Sequence, residues 1–212
     1  MDLGKVLAWT KEQNELVVKT EGGVLGLSFV DEDILRLRFN PGEVFKSEET
    51  FVVVDLPPAT DFDLEASPAA LVMRTARLQV ELGLAPLALA VFKDGAQQPL
   101  LATPIPGMAE LHNDKSIVRF RLAADEHIYG LGQDPMARLD HRDQERRMWQ
   151  EWGAWRRSGN AGIPFMLSSR GYAILLNSSW ASRFAIGRAE VALPGPGVSQ
   201  TWAPPPWPWG VC

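Results

Sequence analysis

Alternation of apolar and polar residues with a period of two recurs along the first two thirds of this chain, and it restricts the fold to sheets. Leu35, Leu37 and Phe39 alternate with Arg36 and Arg38; Leu78, Val80 and Leu82 with Arg77, Gln79 and Glu81; Val118, Phe120 and Leu122 with Arg119 and Arg121. A strand points successive side chains to opposite faces, so each of these segments is expected to have one buried and one wet face. Other runs are more uniformly apolar, notably Phe51 to Val54, Leu87 to Phe92 and Ala173 to Leu176, the pattern of strands covered on both sides. Turn signals separate them: Glu21-Gly22-Gly23, Asn40-Pro41-Gly42, Pro57-Pro58, Lys93-Asp94-Gly95 and Pro104-Ile105-Pro106-Gly107. No segment carries a capped helical stripe over ten or more residues. Many short strands with frequent turns predict an all-β fold, and two packed sheets are the arrangement that buries the apolar faces such strands create.

With 212 residues, the chain suits one domain or one domain with a tail. Its formal charge of -5 is spread over interspersed acidic and basic residues. No broad cationic field exists to attract phosphate backbones, so nucleic acid is not an expected partner. Asp2, Lys5, Lys11 and Glu12 interrupt the first eighteen residues, which read neither as a signal peptide nor as a membrane span. A cytoplasmic protein without a membrane partner is expected. The only cysteine is Cys212, so no internal disulfide and no thiol metal cluster can form. His112, His127 and His141 are widely spaced, without a zinc pattern, and structural or solvent-exposed roles are expected for them. No metal or other cofactor is expected. Gly130-Leu131-Gly132 lacks the third glycine and the helix of a dinucleotide fingerprint, and Ser168-Ser169 is not in a G-x-S-x-G elbow.

Two segments carry the functional signal. Asp125-Glu126-His127-Ile128-Tyr129-Gly130-Leu131-Gly132-Gln133 reads as a strand end followed by a glycine-punctuated turn. Ile163 to Ser178 reads as two short apolar strands joined at Ser169-Arg170-Gly171. In wording and spacing the pair resembles the amino-terminal domain of family 31 glycoside hydrolases, the α-glucosidases and α-xylosidases, where a "YGLGE/Q" turn precedes "IPF(x)LSS(x)GY(x)(x)(x)(x)NS". The resemblance implies a large antiparallel β-sandwich similar to galactose mutarotase over residues 1–190. It also implies that the partner of this domain is a catalytic barrel that these residues do not include. The family's nucleophile lies on a barrel strand with no counterpart here, so no catalytic residue is assigned and the chain alone is expected to be inactive. Gly130, Gly132 and Gln133, the last standing where many relatives have glutamate, are expected to brace the turn.

Between the two segments the strand pattern stops. From Met136 to Gly162 the chain is polar and aromatic, with Arg138, Asp140, His141, Arg142, Asp143, Glu145, Arg146 and Arg147, then Trp149, Glu151, Trp152, Trp155 and Arg156. A long irregular loop on a rigid sandwich is a frequent place for binding residues. Indole faces stack on the C–H faces of a pyranose, and charged groups bond its hydroxyls. The competing reading is that the tryptophans plug the end of the sandwich and the charges form a solvated ladder. In relatives the corresponding loop helps form the first sugar subsite, which implies an α-glucoside or α-xyloside as the carbohydrate partner. Trp152 stands where relatives place a sugar-binding aspartate. Either Glu151, one residue early, takes that role, or the substrate is held by stacking. Asp140, Asp143 and Glu145 are close in sequence, but a retaining glycosidase needs two carboxylates about 5–5.5 Å apart across the sugar, and sequence spacing does not supply that geometry.

Residues 191–212 read differently, as a tail rich in proline and tryptophan, with Pro204, Pro205, Pro206 and Pro208 among Trp202, Trp207 and Trp209. Proline cannot donate to a ladder. The tail is therefore expected outside any strand, disordered or lying across a vacated face, and an early stop or shifted frame is the expected origin. An apolar docking face left open predicts self-association.

Overall fold

A computed structural model describes residues 3–42, 45, 53, 59–105, 108–112, 115–133, 138–148, 161–178, 182–187, 198–203 and 209–211. Strands β1 (Val6–Glu12), β2 (Glu15–Thr20), β3 (Gly23–Asp31) and β4 (Ile34–Asn40) form a meander. A second meander follows in β5 (Asp63–Ala66), β6 (Ala70–Arg74), β7 (Leu78–Leu84), β8 (Leu87–Lys93) and β9 (Leu101–Ala102). The chain continues through β10 (Ala109–His112), β11 (Lys115–Arg121), β12 (Ile128–Gly130), β13 (Gln144–Met148), β14 (Phe165–Ser168), β15 (Ala173–Asn177), β16 (Ser182–Ile186), β17 (Val198–Ala203) and β18 (Trp209–Val211). Three sheets result: an eight-stranded one in the order β1-β2-β3-β4-β18-β15-β14-β12, a five-stranded one in the order β10-β11-β17-β16-β13, and the second meander. Neighbouring strands pair antiparallel, and no helix occurs among the described residues. The all-β sandwich expected from the alternation is the fold.

One apolar core joins the sheets. Leu16, Val18, Leu25, Leu27 and Phe29 face Leu71, Met73, Val80 and Leu82, and Ile128, Phe184 and Ile186 extend the same cluster. Each fully buried side chain of this size stabilises the fold by about 1.5–3 kcal/mol relative to exposure.

Several strands depart from the expected faces; on β11, Arg119 was expected on the wet face and is buried. Arg36 and Arg38 were expected on the wet face of β4, yet both are buried. Arg38 is ion-paired with Glu15 on β2 and lies under the Phe45 ring at 4.1 Å, so a strand position that reads as solvated is covered and neutralised. The uniformly apolar run in β8 behaves the opposite way. Leu87, Leu89 and Val91 are buried, whereas Ala88, Ala90 and Phe92 are half-buried. Similarly, Ala173 on β15 is exposed. Of the run at residues 51–54, only Val53 lies within the described residues.

Residues 198–203 and 209–211 are also placed differently from expectation. β17 pairs with both β11 and β16, and β18 with both β4 and β15, so the tail supplies interior strands to two sheets. The four prolines at 204–206 and 208 lie in sequence between the two strands and outside the described residues.

Candidate functional site

The glycine turn is set by backbone crowding. β12 pairs with β14 in the register Ile128↔Ser168, Tyr129↔Leu167, Gly130↔Met166. The chain then passes through three left-handed residues, Gly130 at φ +92°, Leu131 at φ +59° and Gly132 at φ +79°. A Cβ on Gly132 would sit 2.0 Å from the Ala161 carbonyl oxygen, and one on Gly130 would sit 2.6 Å from that of Phe165. Only glycine fits at either position. Leu131 takes the same conformation with its side chain fully buried; its N–H donates to Phe165 O at 2.8 Å and its carbonyl accepts from Arg146 Nη2 at 3.2 Å. Gln133 and Ala161 exchange N–H···O bonds of 2.8 and 3.4 Å.

Beneath the turn lies a buried polar latch. The Glu126 carboxylate accepts from Ala123 N–H at 2.9 Å through Oε2, and from the Ser168 and Tyr172 hydroxyls, each at 2.5 Å, through Oε1. Burial, followed by the hydrogen bond to Glu126, pushes the Tyr172 phenol above its ordinary range. Ser168 Oγ accepts in turn from Arg170 N–H at 3.0 Å. Arg142 Nη1 donates to the carbonyls of Ala123 and Glu126 at 2.9 and 2.6 Å. His141 is buried, and its Nε2 lies 2.9 Å from Gly130 O; because a carbonyl only accepts, that nitrogen carries the proton. His127 Nδ1 lies 2.7 Å from Asp140 Oδ2, while Asp140 Oδ1 accepts from the N–H groups of Arg142 and Ile128 at 3.0 and 3.3 Å. Partial burial opposes ionisation of Asp140, but the bonds from His127 and the two backbone N–H groups outweigh it and hold its carboxyl below the ordinary aspartate range.

This network forms the base of the long loop. Trp149, Glu151, Trp152, Trp155 and Arg156 lie outside the described residues, but both ends of the segment that carries them are placed. The irregular stretch expected over residues 136–162 is interrupted, because Gln144–Met148 form β13 and pair with β16; β13 leads into the segment at Met148, and the chain returns at Ala161, which is bridged to Gln133. A Cβ on Gly162 would be 3.3 Å from Met148 Cα, so the loop leaves and re-enters the sandwich at one point. Gly130, Gly132 and Gln133 sit at that point. Of the three nearby carboxylates, Asp140 is held by His127, and Glu145 bonds Arg147 Nε at 3.0 Å and Arg183 Nη1 at 3.3 Å. Asp143 occupies a left-handed position at φ +62°. Asp140 and Glu145 are engaged within the fold, which suits a positioning framework better than acid–base chemistry. Glu126, Arg142, Ser168 and Tyr172 were not assigned roles from sequence. Their only signal is polar residues inside apolar strand ends, and Glu126 is 42 and 46 positions from its hydroxyl partners.

Fold and site together define an antiparallel β-sandwich in which a hydrogen-bonded base holds both ends of the segment 149–160. Residues 24–184 match the glycosyl hydrolase 31 N-terminal galactose mutarotase-like domain, and the chain belongs to that family. Alpha-glucosidase 2 of Bacillus thermoamyloliquefaciens is 25% identical over 150 residues, which cover 70% of this chain and 19% of that protein. The isomaltosyltransferase of Sporosarcina globispora is 26% identical over 175 residues, 76% of this chain and 15% of that one. Among solved structures, the Flavobacterium johnsoniae GH31 dextranase complexed with glucose superposes with a TM-score of 0.84 at 19% identity, covering all of this chain and 26% of its own. A GH31 alpha-xylosidase from a soil metagenome complexed with xylose gives 0.78 at 18% identity, covering 96% and 32%. The chain thus spans less than a third of each of these proteins.

Proposed function

We propose that this chain serves as the amino-terminal domain of an α-glycosidase acting on α-linked glucosides or xylosides, without hydrolytic activity of its own. In this reading residues 149–160 face the sugar from their base at Gln133 and Ala161, and the outer face of β14 packs against a catalytic barrel. The observation that carries it is a contiguous apolar patch on the surface of the sandwich. Phe165 and Leu167 are 38% and 45% exposed on the same face of β14, with Ile163 exposed just before them. Their cross-strand neighbours on that face are Leu175, Ala173 and Tyr129. Adjacent large apolar side chains on a sheet surface mark an interaction site.

Two measurements test the proposal. The purified chain is expected to release no nitrophenol from α-glucoside or α-xyloside nitrophenyl substrates. It is also expected to self-associate in sedimentation, and Leu167→Arg is expected to shift it to monomer. Hydrolysis that survives repurification, or association unaffected by the charge, refutes the reading. Saturable quenching of tryptophan fluorescence by maltose or isomaltose, without hydrolysis or self-association, identifies a free-standing carbohydrate-binding domain instead.

A further inference from the structure

Trp9 stands on β1, at the edge of the eight-stranded sheet opposite to β12 and the base of the 149–160 segment. It pairs with Val18, and Lys11 pairs with Leu16. Directly opposed residues share a face, and Val18 and Leu16 are fully buried, so Trp9 and Lys11 lie on the core side of β1. The core does not close over this edge, and the indole is left 38% exposed. Beside it runs the stretch 59–62. Thr60 N–H donates to Phe29 O at 2.7 Å and Asn14 Nδ2 to Ala59 O at 2.6 Å, which pins this stretch to β3 and to the β1–β2 turn. Lys11 Nζ donates to Phe62 O at 2.8 Å and to Asp61 Oδ1 at 3.3 Å, and lies 4.3 Å from the centre of the buried Phe62 ring. Asp61 Oδ1 also accepts from Phe62 N–H at 2.9 Å. That backbone bond, followed by the bond and the charge of Lys11, holds the Asp61 carboxyl below the ordinary aspartate range. The carboxylate is exposed and both bonds fall on Oδ1, so Oδ2 is open to a ligand. An ammonium has three N–H groups, and Lys11 spends two of them here.

We propose that Trp9, Lys11 and Asp61 form a binding site for a neutral saccharide, separate from residues 149–160. Consecutive same-face residues of a strand are about 6.6 Å apart. That spacing lets one pyranose ring lie on the indole with its hydroxyl edge turned to Lys11. Two adjacent hydroxyls then find complementary partners: one accepts from the ammonium, and its neighbour donates to Asp61 Oδ2. The donor and the acceptor are held by each other and by Phe62, so neither has to be ordered when the sugar arrives. Other ligand classes fit less well. An anion would meet the Asp61 carboxylate, and a cation the Lys11 ammonium. A purely apolar partner would cover both charges without supplying a hydrogen bond to either. A ligand that is apolar on one face and carries neighbouring hydroxyls at its edge satisfies all three side chains.

Titration of the whole chain with maltotriose, followed by nuclear magnetic resonance of the indole N–H groups, tests the site. The Trp9 resonance is identified as the one missing from Trp9→Phe. Maltotriose is expected to shift it saturably. Asp61→Ala changes an exposed side chain and is expected to weaken that saturation by on the order of tenfold, the loss of one hydrogen bond to a charged group, with the far-ultraviolet dichroism unchanged. A Trp9 resonance that maltotriose does not move overturns the proposal, and so does an affinity that Asp61→Ala leaves as it was. Cyclohexanol offers a ring of similar size with a single hydroxyl. An equal response to it would reduce the site to an apolar contact and overturn the saccharide assignment. Saturable shifts of other indole resonances without Trp9 place the sugar elsewhere, which overturns this site and leaves the role proposed for residues 149–160 intact.

Discussion

Gly95 and Gly132 offer a matched pair that separates backbone conformation from close approach. Both are left-handed, at φ +73° and +79°, so an alanine at either position meets the same conformational resistance of about 1–2 kcal/mol. Their surroundings differ completely. A Cβ on Gly95 would have nothing within 4 Å, whereas one on Gly132 would meet Ala161 O at 2.0 Å and Ile163 N at 2.6 Å. Those atoms are backbone and cannot swing away as a side-chain end can, so the 161–163 segment must retreat by well over an ångström. The retreat removes the two Gln133–Ala161 hydrogen bonds, each contributing about 0.5–1.5 kcal/mol. Gly132→Ala is therefore expected to destabilise by about 2–5 kcal/mol in total. At about 2–4 °C per kcal/mol for a domain of this size, Gly95→Ala lowers the melting temperature by about 2–8 °C and Gly132→Ala by about 4–20 °C. Thermal melts followed by circular dichroism measure both. If Gly132→Ala melts within 2 °C of Gly95→Ala, the loop base is not held by this contact, and the account of the site given above fails.

The latch and the histidine pair give further expectations. Because the Tyr172 phenol is raised when folded, its contribution is fully present below the ordinary tyrosine value of about 10 and is lost as pH rises through the folded one. Wild type should lose stability in alkaline melts above about pH 10, and Tyr172→Phe should flatten that slope while destabilising by about 1–3 kcal/mol near neutrality. Asp140 behaves oppositely. Its carboxyl is lowered, so its contribution is present above the ordinary aspartate value of about 4 and disappears as pH falls through the folded one. His127→Ala should reduce the acid dependence below about pH 4 without changing the alkaline limb, as read from melts across the pH range. Glu126→Ala leaves the buried Ser168 hydroxyl, the half-buried Tyr172 hydroxyl and the Ala123 N–H without their acceptor, and is expected to destabilise by about 2–3 kcal/mol, measured by urea unfolding.

The fold was legible because its main signal is local. Alternation in β7 and the lack of helical stripes follow from the geometry of single strands, and both hold among the described residues, whereas the alternation in β11 does not, because Arg119 is buried. Which face is wet is not local. Arg36 and Arg38 read as solvent-facing from their own strand, yet both are buried, and Arg38 is neutralised by Glu15 on another strand and covered by Phe45 beyond the next turn. Ala88 and Ala90 read as core from composition, yet no layer fully covers that side of β8. The tail was misjudged for a related reason. Four prolines exclude ladder pairing only at their own positions, and the three-residue stretch that follows them still fits an interior lane.

Legibility of the site divides along the same line. The glycines of the turn were readable, because left-handed backbone leaves a mark on residue type at the position itself. The latch left no such mark. A buried carboxylate is tolerated only when donors converge on it, and those donors come from Ala123, Ser168 and Tyr172, on both sides of the tryptophan loop. The latch therefore forms only once the segments before and after the loop have paired. Glu126 then ties them together and fixes the point from which the loop departs, so changing Glu126 is expected to disturb residues 149–160 without touching any of them. Tryptophan fluorescence of Glu126→Gln reports this directly: a spectrum altered under conditions where the far-ultraviolet dichroism is unchanged supports the coupling, and an unaltered one shows that the loop is held from elsewhere.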